Sequence, residues 1–181
     1  MKNLIIPFVL LTSTLALAET DAERKRHSLQ MFDKAAQVFM HPRCLNCHPA
    51  GDAPTQGMDM HVHQMNVKRG TDDHGAVAMK CATCHQTHNN VDSGVPGAPT
   101  WGLAPKSMAW QGLSKRELCL ALKDPKKTHK TMDEMIEHNA HDKLVAWGWN
   151  PGKGRQPVPF TQEEFGYYFE QWVKSGAACP E

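Results

Sequence analysis

Tyrosine is almost missing from this chain, with two residues in 181, and neither charge dominates: 20 Lys and Arg stand against 19 Asp and Glu. No segment carries a basic stripe, which removes nucleic acid from the partner classes. No apolar run after the N-terminal one is long enough to cross a bilayer. No period-two alternation of β-branched residues marks a strand, so a fold built on a sheet is not expected. There is no low-complexity tail, and the apolar supply is modest for a chain that fits one domain.

What is present begins at the N-terminus. Met1-Lys2-Asn3 precedes an apolar run from Leu4 to Leu17, and Ala16-Leu17-Ala18 comes before Glu19. A positive head, a short apolar stretch and small residues at the cut describe a secretory leader over residues 1–18. Its loss predicts an exported, soluble chain of residues 19–181 in the periplasm of a Gram-negative envelope, a single domain. Removal of Lys2 leaves 19 residues of each charge sign.

Histidine and methionine are abundant, with eleven and ten residues, and six cysteines fall into three settings. Cys44-Leu45-Asn46-Cys47-His48 and Cys81-Ala82-Thr83-Cys84-His85 are both C-x-x-C-H. Two thioethers at this spacing take the two vinyl-derived positions of one porphyrin, and the histidine that follows ligates its iron. Two hemes c are therefore expected, attached at Cys44 and Cys47 and at Cys81 and Cys84, with His48 and His85 as proximal ligands. A thioredoxin-like site needs a βαβ setting that neither motif has. A four-thiolate zinc site would join pairs 37 residues apart and leave both histidines without a role.

On these motifs the chain resembles the c-type cytochromes, and specifically their small diheme members. The resemblance covers Phe39 to Asn90, and more weakly Thr161 to Gly176, which is similar to the closing helix of a small monoheme fold. It implies a mainly α fold of small cytochrome c-like helices and long loops packed around two covalently bound hemes. The whole chain also resembles exported diheme proteins labelled as subunits of isoquinoline-oxidoreductase-type molybdenum hydroxylases. That label implies a periplasmic dehydrogenase as redox partner, with the chain soluble or peripheral to a membrane complex. No molybdenum-cofactor motif is present.

Helical signals flank the motifs. Leu29, Phe32, Ala36 and Phe39 form an apolar stripe within residues 23–40, stopped by Pro42. Three capping boxes, Ser114/Glu117, Thr131/Glu134 and Thr161/Glu164, open later helices. The second is expected to run from Met132 to about Trp147, and the third presents Phe165, Phe169, Trp172 and Val173. Irregular chain is expected over residues 49–77 and 89–105, with Trp101, Leu103, Met108 and Trp110 turned inwards. Cys119 and Cys179, the remaining cysteines, are expected to pair in an oxidising compartment; a free thiol pair and an intermolecular link are the alternatives.

The second axial position of each iron stays open at this level. His63, then His61, leads a cluster with Met58, Met60 and Met65 that would also suit copper if the strand were extended. His141, with His138 on the same helix, and Met108, between Trp101 and Trp110, are the other candidates; His74, His88 and His129 follow. Closed irons predict an electron carrier exchanging single electrons with redox protein partners, and no catalytic residue is assigned. An open iron would allow a peroxidase or reductase, with His61, His74, Glu134 or Arg69 near it, or a gas or redox sensor. Oligomeric state is not written in these patterns.

Overall fold

The computed structural model describes residues 19–181; the leader expected over residues 1–18 lies outside them. The described chain is mainly α. Its helices are α1 (Asp21–Phe39), α2 (Pro42–Leu45), α3 (Lys115–Leu122), α4 (Pro125–Thr128), α5 (Met132–His141), α6 (Lys143–Ala146) and α7 (Gln162–Lys174). Two minimal antiparallel hairpins pair β1 (Thr55–Gln56) with β2 (His61–Val62) and β3 (Gly75–Ala76) with β4 (Met79–Lys80). Among the described residues no helix is long and apolar enough to cross a membrane.

The three expected capping boxes all form, and Thr20 with Glu23 makes a fourth, which starts α1 ahead of its apolar stripe. The helix expected from Met132 to about Trp147 is instead two. Asp142 leaves the helical region at φ −66°, ψ 131°, and its carboxylate accepts from the amides of Leu144 and Val145. An aspartate that can cap a new helix competes with continuing the old one.

α7 is the central element, packed against both α1 and α5. Phe32, Phe39, Phe165, Phe169 and Trp172 are all almost completely buried between α1 and α7. Phe39 meets Phe165, Phe169 and Trp110 edge to face at 5.0–5.7 Å, the arrangement aromatic quadrupoles favour. Gly166 permits the α5 approach: a Cβ there would stand 2.7 Å from the Cβ of Ala140. The C-terminal tail is held on this core by three contacts. Trp172 Nε1 donates to the Ala178 carbonyl, Ala178 N donates to Ser28 Oγ, and a disulfide joins Cys119 to Cys179.

Candidate functional site

Both C-x-x-C-H motifs sit on a single tight helical turn, and this explains their spacing. In the first, His41 Nδ1 caps α2 by accepting from Arg43 N, and Pro42 begins the helix where no amide proton is needed. Cys47 N and His48 N both donate to the Cys44 carbonyl. The second turn repeats this, with Cys84 N and His85 N donating to the Cys81 carbonyl. Residues i, i+3 and i+4 of such a turn share one face, so two thiols and an imidazole are presented together in each motif.

The two imidazoles are then oriented by matching devices from distant chain. His48 Nδ1 donates to the Met108 carbonyl at 2.8 Å, and its ring stacks on Trp110, with centroids 3.4 Å apart and planes at 7°. His85 Nδ1 donates to the Pro96 carbonyl at 2.7 Å, and its ring stacks on Trp101 at 4.5 Å and 7°. A carbonyl can only accept, so each Nδ1 carries the proton and each Nε2 keeps its lone pair. That is the outer-shell arrangement which fixes a metal-ligating histidine. Trp110 also abuts Phe39, which ties the first site to the core. Trp101 abuts Trp147 at 4.9 Å, and Trp147 Nε1 shares the Asn89 side-chain oxygen with Gly97 N, next to Pro96. Gly97 is needed there, because a Cβ would fall 2.3 Å from the carbonyl oxygens of Gln86 and His88.

The electrostatics keep both histidines neutral and the buried thiols protonated. Burial pushes His48 down to about 3; the Met108 carbonyl opposes this, while His138 and Arg69 add to it. Burial also lowers His85, against the Pro96 carbonyl and with His63 and Arg155. Burial drives the Cys44 thiol up to about 12, with Cys47 adding, and the Cys47 thiol up to about 11, with Cys81 adding and Arg43 opposing. A nucleophilic or zinc-binding thiolate requires the opposite shift. The influence of Cys81 on Cys47 places the two thiols within electrostatic reach of each other.

The candidates for the opposite axial position separate clearly. His63 faces His85, with ring centroids 6.0 Å apart at 70°, and its Nδ1 is held by the Gln64 carbonyl at 2.8 Å. His61 turns to solvent, nearly half exposed and paired with Asp59. His141 has a side chain 68% exposed and lies beside Glu137 on α5. Met108 is buried, and its main-chain carbonyl accepts from His48 Nδ1. His138, named beside His141 from the sequence, is half-buried one turn after the core residue Met135, with Nδ1 held by Asp142 at 3.2 Å. The extended Met/His strip is not formed either, because Met60 and Met65 take positive φ and β2 is only two residues long.

Among the described residues no three His, Cys, Asp or Glu side chains converge on one point. A porphyrin iron takes four bonds from its ring and needs only axial protein ligands, so that observation does not bear on heme. Among the described residues three buried side-chain nitrogens lack a hydrogen-bond partner: Arg69 Nε, Asn139 Nδ2 and Trp149 Nε1. All three are donors, as carboxylate-bearing groups such as heme propionates require. Buried donors of this kind are costly unless satisfied. The paired thiols and free Nε2 atoms of the two turns are the groups that would hold two hemes c. Compared with protein-family models, curated proteins and solved structures, the chain matches none.

Proposed function

We propose that this chain carries two covalently attached hemes c and relays single electrons between redox proteins outside the cytoplasm. The observation that carries the reading is the repeated device: two C-x-x-C-H turns, each with Nδ1 fixed by a main-chain carbonyl and the ring stacked on a tryptophan. Cys44, Cys47, Cys81 and Cys84 would form the thioethers, and His48 and His85 would be the proximal ligands. The hemes supply reversible one-electron exchange at iron. The chain would fix their orientation and keep the ligating nitrogens unprotonated.

Motifs within electrostatic reach of each other suit passage of an electron from one heme to the other within the molecule, with a donor and an acceptor protein docking in turn. A periplasmic dehydrogenase is the donor class that the resemblance implies. Cysteines joined as Cys119–Cys179 suit an oxidising compartment. The test is production in a host able to attach heme c, followed by pyridine hemochrome quantitation and a reductive titration. Two hemes per chain and uptake of two electrons, each returned to an oxidant, are expected. Absence of attached heme, or irreversible reduction, would overturn the reading.

A further inference from the structure

We propose that the two irons are closed by histidine on both sides, His85 with His63 and His48 with His138. The inference rests on the diheme reading and deepens it by naming the full axial ligand sets.

A metal–imidazole bond of about 2 Å, extended by about 1.1 Å to each ring centre, sets two imidazoles across one metal roughly 6 Å apart. His63 and His85 stand at 6.0 Å. Their Nδ1 atoms are each engaged by a main-chain carbonyl, Gln64 for one and Pro96 for the other. Both rings therefore have Nε2 as the free ligand atom. The planes differ by 70°, which an axial pair tolerates because only the line through the two nitrogens is shared.

For the first site the argument runs through α5. Met135 belongs to the same buried cluster as Trp110, on which the His48 ring stacks, and Met108, whose carbonyl holds His48 Nδ1. His138 lies three residues on, so the same helical face carries it towards that site. Asp142 holds its Nδ1, the carboxylate–histidine pairing that orients metal ligands. His141, one turn further, is largely exposed.

The experiment compares the oxidised and reduced holoprotein with H63A, H138A and H141A by electron paramagnetic resonance and by carbon monoxide binding. Wild type and H141A are expected to show two low-spin hemes and no carbon monoxide adduct. H63A and H138A should each convert one of the two hemes to a high-spin, carbon monoxide-binding form that added imidazole returns to low spin. H63M and H138M should keep both hemes low-spin while raising one midpoint potential, which separates ligand loss from misfolding. Two low-spin hemes in H138A or H63A, or a high-spin heme in H141A, would overturn the assignment. Pyridine hemochrome on every variant reads heme attachment separately: fewer than two hemes in wild type counts against the diheme reading, not the ligand set alone.

Discussion

His41 shows how much of the site rests on single polar atoms. Its Nδ1 accepts the Arg43 amide at 3.2 Å and so starts the turn that carries Cys44. Burial, followed by the Arg43 charge, lowers its pKa from 6.5. The unfolded chain therefore binds more protons just below that value, and this part of the stability is present above pH 6.5 and lost as the pH falls. His41→Asn keeps an accepting cap without titrating. Its thermal unfolding should match wild type at pH 7.5 and depend less on pH below 6.5, whereas His41→Ala should cost about 1 kcal/mol at pH 7.5 and less as the pH falls below 6.5. Parallel pH profiles for wild type and the asparagine variant would refute this. The C-x-x-C-H turns were legible in the sequence because their geometry is local. The carbonyls of Met108 and Pro96 were not, because a main-chain acceptor has no residue signature.

At the scale of elements, Asp142 does two jobs that the sequence pattern blurred into one long helix. One oxygen caps α6, while the other holds His138. Apolar periodicity registers stripes and continues across such a break, so it could not say which of His138 and His141 faces inwards. The capping boxes were easier to read, because donor and acceptor lie three residues apart. Asp142→Asn retains the cap but removes the charge from His138. A carboxylate partner makes a ligating imidazole a stronger donor and favours the ferric state, so this variant should raise the midpoint potential of one heme and leave the other in place. A potentiometric titration followed by absorbance checks it, and an unchanged pair of midpoints would sever Asp142 from the site. Thermal unfolding of the same variant, close to wild type, would show that α6 is still capped.

Across the whole molecule, the Cys119–Cys179 disulfide closes 60 residues of sequence separation and ties the tail to α3. Its loss in a C119A/C179A variant should cost about 4 kcal/mol by the loop-entropy relation, with the heme spectra unchanged because both cysteines lie outside the attachment turns. Communication between the two sites is the more demanding test. The turns carrying Cys47 and Cys81 lie within electrostatic reach of each other, so an electron placed at one heme should oppose reduction of the other. Unit charges at about 10 Å with an effective dielectric near 20 interact by about 1.7 kcal/mol, or about 70 mV for one electron. In wild type the higher-potential heme is reduced first, against an oxidised neighbour. H63M and H138M each raise one heme, and one of the two must reverse that order. In the reversing variant the unsubstituted heme titrates against a reduced neighbour, and its midpoint should fall by some tens of millivolts. In the other variant the unsubstituted heme should stay where it was. Unsubstituted midpoints that hold still in both variants would mean two independent hemes on one chain rather than a relay.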